Sequence, residues 1–198
     1  MKNKQTKEGT KMVIRENYLI NAKTVLFYGI YYENGVLFTF VIEGNDKFLV
    51  AMSPLKLIDN TLTSYGSSFK GALESSRKLL GRNRKMYPIK IDASLDIWIF
   101  PSKSYKKENC VWFVLNHVEN TKLLSLKDTK VFLKYGHEID IKMRESSFRN
   151  KRGCAADLRD MILRNTKGAL KYDQVPEERW VIVEEMGKYE CRGSEEER

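Results

Sequence analysis

The hydrophobic pattern of the first part of the chain predicts an antiparallel meander. Three apolar runs of strand composition follow one another at residues 24–32, 36–42 and 47–52. Asn34-Gly35 is the strongest short signal for a hairpin, and Gly44-Asn45 supplies the second turn. Both faces of these strands are apolar, so we expect the meander to be covered on both sides or to lie centrally. Pro54 is then placed to begin a short helix.

Further strand patterns and a second helix pattern follow. A strand pair is predicted at residues 88–92 and 95–100, another strand at 110–118, and a hairpin about Gly136 at 131–143. Ser146 or Ser147 is expected to cap a helix. Its apolar positions recur at helical spacing: Phe148, Ala155, Leu158 and Ile162. About eight strands and two longer amphipathic helices predict an α+β fold, mainly of antiparallel hairpins.

The first of the longer helices lies in a basic segment. Residues 64–85, SYGSSFKGALESSRKLLGRNRK, carry six positive charges and one negative charge. At 100° per residue, the apolar side chains of residues 69–80 fall within an arc of roughly 120°. These positions are Phe69, Ala72, Leu73, Ser76, Leu79 and Leu80. Lys70, Glu74, Arg77 and Lys78 fall on the opposite face, so one face should pack inward while the other presents cations.

The ends of this helix extend the positive surface. Ser67 or Ser68 is expected to cap its start, where free amides and the helix dipole favour a phosphate. Gly81 is placed to end the helix, and Arg82, Arg84 and Lys85 follow. Hydroxyls, amides and guanidinium groups are the usual phosphate contacts of DNA-binding proteins. An ordinary solvated amphipathic helix has the same composition, and the residues alone leave the two interpretations equally open.

The net charge of +9 is unevenly distributed along the 198 residues. Residues 177–198 contain eight Glu and four Lys or Arg, so they carry −4 and the rest of the chain carries +13. We therefore predict a single domain over residues 1–176, with a short basic N-terminal extension, and a Glu-rich tail over residues 177–198. A strongly positive domain favours a polyanion or an anionic surface as its partner.

Several classes of protein are disfavoured by what the sequence contains. The first eleven residues lack the apolar core of a signal peptide, and the longest apolar runs are far shorter than a membrane span. Three widely spaced cysteines do not fit a disulfide framework or a metal site, so we expect a cytoplasmic protein without cofactors. Cys110 and His117 lie at odd separation on one predicted strand and should point to opposite faces, so we predict no catalytic dyad and no enzyme.

Three stretches of the sequence resemble a known family. MSPLKLIDNTLTSYGSSFKG, YPIKIDASLDIWIFPSKS and CVWFVLNHV are similar to the competence transcription factor ComK family, over residues 52–118 and more weakly over 146–164. The resemblance implies a transcription activator that binds paired A/T-rich boxes, largely through the minor groove, as dimers that assemble further. It also implies bending of the DNA and contact with RNA polymerase at promoters of DNA-uptake genes, including the activator's own.

With this resemblance, the basic residues acquire expected roles. Narrow A/T-rich minor grooves attract an inserted arginine, and Arg77, Arg82 and Arg84 are the candidates. Phosphate contacts are expected from Ser67, Ser68, Lys70, Lys78 and Lys85. A second, weaker basic patch is predicted at Arg149, Lys151 and Arg152.

Two departures from the family pattern and two alternatives stay open. Ala72 follows Gly71 where the family often has Arg, and Arg77 is a substitute for that charge. Some members end in a short aromatic segment read by a proteolytic adaptor; here a Glu-rich end follows WVIVEEMGKY, so control by MecA and the Clp protease is left open.

Trp98 and Trp112 fit core positions better than base-stacking positions, but an RNA or single-strand binder remains the alternative. A regulator that acts only through protein contacts of the Glu-rich tail is the third class.

Overall fold

The structure is a computed structural model that describes residues 12–169, 180–185 and 188–193. The chain divides into two compact units, Met1–Ile162 and Leu163–Arg198. The predicted boundary between residues 176 and 177 lies outside the described residues and stays a prediction.

A seven-stranded, almost entirely antiparallel sheet forms the centre of the first unit. Its strands are β1 (Ile14–Arg15), β2 (Thr24–Tyr31), β3 (Leu37–Glu43), β4 (Asp46–Val50), β5 (Ile89–Asp92), β6 (Ile97–Pro101) and β7 (Val111–Val114). Their order in the sheet is β1-β4-β3-β2-β7-β6-β5, and only β1 and β4 pair in parallel. The predicted meander β2–β3–β4 and the pair β5–β6 are confirmed. Gly35 and Gly44 turn the meander with φ of 73° and 55°, a conformation that side chains other than glycine rarely adopt.

Two helices cover one face of this sheet. They are α1 (Pro54–Ser64) and α2 (Phe69–Leu80). Pro54 occupies the first turn of α1, and Ser53 caps it by accepting the N–H of Lys56 at 3.4 Å. Leucines of both helices pack with Phe27, Ile99 and Trp112 from the sheet in one buried cluster.

A smaller sheet and the longest helix cover the opposite face. The strands are β8 (Val118–Ser125), β9 (Asp128–Leu133) and β10 (Glu138–Ile141), in the order β10-β9-β8, and the helix is α3 (Glu145–Ala169). Phe148 of α3 lies against Phe100 and Phe113, with ring centroids 5.6 and 5.1 Å apart. The central strands are thus covered on both sides, as their two apolar faces predicted. The α+β fold class is confirmed.

Three details of the second half differ from the prediction. The strand predicted at residues 110–118 ends at Val114, and a 3-10 turn at Leu115–His117 leads into β8, which the sequence pattern did not reveal. Helix α3 begins at Glu145, so Ser146 and Ser147 lie inside its first turn and the predicted cap is wrong. The hairpin about Gly136 is confirmed, with Tyr135 and Gly136 both in the left-handed region.

The second unit contains an antiparallel hairpin of β11 (Trp180–Glu185) and β12 (Lys188–Gly193). The predicted Glu-rich tail therefore contains two strands. In the described part of the chain, no helix combines the length and the apolar character that a membrane crossing requires.

Candidate nucleic-acid interface

Backbone N–H groups at the start of α2 are hydrogen-bonded within the protein. Ser68 is the cap: its Oγ accepts the N–H of Gly71 at 3.1 Å. The N–H of Phe69 donates to Oδ1 of Asp59 on α1 at 3.0 Å, and the N–H of Ser67 donates to the carbonyl of Leu62. A carboxylate therefore already occupies the positive end of this helix. A phosphate at the same end, the role predicted for Ser67 and Ser68, would meet the negative charge of Asp59.

The two faces of α2 lie as the helical period predicted. Ala72, Leu73 and Ser76 are buried. The hydroxyl of Ser76 lies 3.0 Å from the carbonyl oxygen of Ala72 and 2.7 Å from that of Pro88, which ties the helix to the chain entering β5. Phe69, Leu79 and Leu80 are half-buried. On the opposite face Lys70, Glu74 and Lys78 are exposed, and Arg77 is half-buried. The predicted orientation is confirmed.

The loop after α2 is held by a buried tyrosine. Gly81 ends the helix with φ 82°. The hydroxyl of Tyr87 donates to the carbonyl of Gly81 at 2.9 Å and accepts the N–H of Arg84 at 3.2 Å. These two bonds fix the path of the residues between helix and strand, so their cationic side chains project from a defined backbone.

Two adjoining cavities, which we call the basic groove, lie along this loop. The first, about 360 Å³, is lined by Glu74, Arg77, Arg82, Arg84, Lys85 and Tyr87. The second, about 270 Å³, shares Arg84 and Lys85 and has Ser147, Asn150, Lys151 and Cys154 of α3 on its other wall. In the described part of the chain, Glu74 is the one carboxylate that lines either cavity, against five cations. The groove is therefore strongly positive.

The three candidate arginines have different surroundings. Arg77 lies 3.4 Å from a carboxylate oxygen of Glu74, and its guanidinium carbon is 5.7 Å from the centre of the Tyr87 ring. Arg84 donates to the carbonyl of Leu80 at 3.4 Å and to Sγ of Cys154. Arg82 is 83% exposed and meets Glu74 at 3.5 Å. All three arginines thus line the groove, and Arg82 is more exposed than Arg77.

The predicted second patch on α3 is divided between two sides of the helix. Lys151 faces the basic groove, where Nζ lies 3.2 Å from Sδ of Met86 and burial lowers the pKa of the ammonium group. Arg149 pairs with Glu145 at 2.7 Å and remains largely exposed. Arg152 donates to the backbone carbonyls of Val118 at 2.7 Å and Glu119 at 3.3 Å. Arg149 and Arg152 therefore lie beside β8, away from Lys151.

The tryptophans considered for base stacking, and the cysteine and histidine considered for catalysis, lie in the core. Trp98 and Trp112 are buried, as predicted, so neither ring is available to stack on a base. Cys110 is buried as well, and its burial raises the pKa of the thiol. His117 does not share a strand with it, because the imidazole belongs to the 3-10 turn, where Nε2 lies 2.8 Å from the carbonyl oxygen of Ala22.

Comparison with known proteins agrees with the resemblance seen in the sequence. The family described as ComK protein matches residues 15–167, which include the basic groove and α3 up to Lys167. The chain belongs to the ComK protein family. It is also similar to a competence transcription factor of Bacillus subtilis (strain 168), with 28% identity over 136 residues, 69% of this chain and 70% of the relative. No solved structure matches.

Two features of the basic groove could not be assigned from sequence. The helical period predicts that Glu74 lies on the exposed face of α2, but not that its carboxylate lies between Arg77 and Arg82. The one indication in the sequence is that Glu74 and Arg77 are three residues apart on a helix, a spacing at which side chains meet. The approach of Lys151 to Arg84 and Lys85 left no signal, because the residues are more than sixty positions apart.

Proposed function

We propose that this ComK-family chain is a competence transcription activator that binds A/T-rich duplex DNA through the basic groove. The observation that carries the proposal is the convergence of two distant segments, residues 77–85 and the first turns of α3, on one surface with five cations and one carboxylate. A duplex with its two rows of phosphates is a ligand of the matching charge. The family and the named function of the Bacillus subtilis relative support the same conclusion.

Phosphate contacts supply most of the affinity in this proposal. Lys70, Lys78 and Lys85 are exposed and carry the charge outward. Each lysine or arginine that neutralises a phosphate releases a counterion, so the affinity falls steeply with salt, by a slope of about 0.9 per contact on logarithmic axes. The hydroxyls of Ser67 and Ser68 are weaker candidates than the lysines, because Ser68 caps α2 and Asp59 lies at the same helix end.

Arg82 is our first candidate for insertion into the minor groove, and Arg77 and Arg84 are the others. An arginine that inserts into DNA must first break the contacts it makes in the free protein. Breaking an exposed ion pair costs little, because such pairs contribute only about 0–1 kcal/mol. Arg82 has one such partner, Glu74 at 3.5 Å, while Arg84 would give up contacts with both Leu80 and Cys154. A narrow A/T-rich groove concentrates negative potential and so favours the arginine side chain.

The assembly that follows from the family is a homodimer or larger homo-oligomer on paired boxes, with RNA polymerase as a protein partner. We place the protein in the cytoplasm, on chromosomal promoter DNA, without an enzymatic activity or a cofactor. Family membership supports these statements. Proteolysis through the MecA adaptor and the Clp protease stays open, because a Glu-rich end follows WVIVEEMGKY where some family members end in the aromatic segment that the adaptor binds.

The test is equilibrium binding by gel shift to three DNAs at about 0.15 M salt: an A/T-box duplex, a scrambled duplex of equal composition, and a single strand. We expect the strongest retention of the A/T-box duplex. Equal binding to both duplexes would remove the sequence preference from the proposal. Preference for the single strand would favour the alternative nucleic-acid binder, and no retention of any DNA would favour a regulator that acts through protein contacts.

A further inference from the structure

Three exposed leucines lie together at the end of the β8–β9 hairpin. Leu123, Leu124 and Leu126 are 53%, 46% and 82% exposed, and we call them the leucine tip. Single exposed leucines are normal on a protein surface, whereas larger exposed apolar patches mark contacts with another molecule. The leucine tip contributes little to either buried cluster, so folding alone does not account for it.

The hairpin that carries the leucine tip is closed by its own hydrogen bonds. Ser125 pairs with Asp128 across the two-residue turn, and its hydroxyl donates to Oδ2 of Asp128 at 2.6 Å. The N–H of Lys127 donates to the same hydroxyl oxygen at 3.2 Å. The turn therefore presents Leu126 on a constrained backbone, which lowers the conformational entropy lost on binding.

The base of the hairpin is fixed to α3. The hydroxyl of Thr121 donates to Glu145 at 2.7 Å, and Arg149 donates to the oxygen of the same hydroxyl at 3.2 Å. Leu126 lies five positions after Thr121 along the extended chain, a reach of about 17 Å. All side chains of β8 beyond Thr121 are exposed, so both faces of this end of the strand are in solvent.

The leucine tip and the basic groove flank the same helix. Arg149 and Arg152 of α3 contact β8, and Asn150 and Lys151 line the groove on the other side. An α-helix with its side chains is about 10 Å across, less than the roughly 34 Å of one DNA turn. A single duplex lying over α3 can thus meet both the basic groove and the hairpin.

The charge around the leucine tip indicates which partner it fits. Lys122 and Lys127 are exposed and flank the leucines, while the nearby carboxylate of Asp128 is bonded to Ser125. Leucine among lysines matches a minor groove, where apolar side chains insert between base pairs and cations meet the phosphates on either side. We propose that the leucine tip is an apolar wedge that enters the minor groove of the bound duplex, partly unstacks a base step and bends the DNA. This inference rests on the proposed DNA-binding function.

The experiment measures bending and binding separately, with full-length protein and an A/T-box duplex carrying fluorophores at its ends. We expect Leu126→Ser to lose most of the energy-transfer change seen with the wild type and to bind the linear duplex more weakly. Binding should recover on a duplex nicked at the bent step, because the unstacking cost is then already removed. Leu19→Ser, a change at an exposed leucine that precedes β2, is the matched control and should bend the DNA like the wild type.

A second variant tests the flanking cations without touching the apolar side chains. Lys122→Ala with Lys127→Ala should flatten the slope of log affinity against log salt by about two units, 0.9 per lysine. Leu126→Ser should leave that slope unchanged. Wild-type bending by Leu126→Ser would overturn the wedge while leaving the proposed function intact. If Leu126→Ser bends the DNA normally and also sediments as a smaller oligomer, the leucine tip belongs to a contact between copies of the chain instead. If the wild type retains no duplex, both the wedge and the proposed function fail.

Discussion

Glu74 lowers the positive potential of the basic groove, and its removal should strengthen DNA binding. The first cavity has four cations and this one carboxylate, so Glu74→Gln raises its formal charge from +3 to +4 with almost no change of shape. A unit charge about 8 Å from a phosphate interacts by roughly 0.5 kcal/mol in water, and two phosphates in reach give about 1 kcal/mol. The substitution also frees Arg77 and Arg82 from their ion pairs. We expect about two- to fivefold tighter binding of A/T-box and scrambled duplexes alike.

The assay is fluorescence anisotropy from low to high salt. The gain should shrink as the screening length falls from about 10 Å at 0.1 M to about 3 Å at 1 M. Asp46→Asn is the matched control: it removes one exposed carboxylate at the β3–β4 turn. Asp46 begins β4, which is five strand spacings from β5, roughly 24 Å, so the control should change affinity little. Unchanged or weaker binding by Glu74→Gln at low salt would show that the duplex does not pass over this cavity.

Two further predictions concern stability. Leu73 is 6% exposed, so Leu73→Ala should lower the free energy of unfolding by about 2–5 kcal/mol and the Tm by on the order of 5–15 °C. Leu80→Ala should have a smaller effect because Leu80 is half-buried, and Arg77→Ala should change the Tm little. The reverse ranking in thermal melts would show that the orientation of α2 is inverted. Burial lowers the pKa of His117 below its usual value of 6.5, so the unfolded chain binds a proton before the folded one and stability should fall as the pH drops below about 6.5. In urea titrations at pH 7.5 and 5.5, His117→Gln should lose less stability than the wild type; an equal loss would mean that His117 does not carry this dependence.

Local features of the fold could be predicted because their causes are local. Asn34-Gly35, Gly44-Asn45 and Gly136 all mark turns that the structure contains, since each turn depends on the backbone freedom of one or two residues. The buried face of α2 followed from the helical period alone. The sequence does not predict strand β8, because most of its residues are exposed on both faces and leave no alternation to detect.

The candidate site could be predicted only segment by segment. The sequence identified residues 77–85 as a cationic surface, and four of its cations line the basic groove: Arg77, Arg82, Arg84 and Lys85. It could not show that Lys151 joins them while Arg152 bonds to the carbonyls of Val118 and Glu119, because both contacts depend on how α3 packs against distant strands. Charge and spacing do not distinguish a lysine that lines a groove from an arginine that binds backbone carbonyls.

The most direct test of the basic groove as the DNA contact is the salt dependence of binding by the triple variant Arg82→Ala, Arg84→Ala, Lys85→Ala. If all three side chains neutralise phosphates, the slope of log affinity against log salt should flatten by roughly two to three units, and losing an inserted arginine should also erode the preference for the A/T box over the scrambled duplex. Lys85→Ala alone should weaken both duplexes about equally. A triple variant that melts like the wild type, keeps its salt slope and still prefers the A/T box would contradict the assignment.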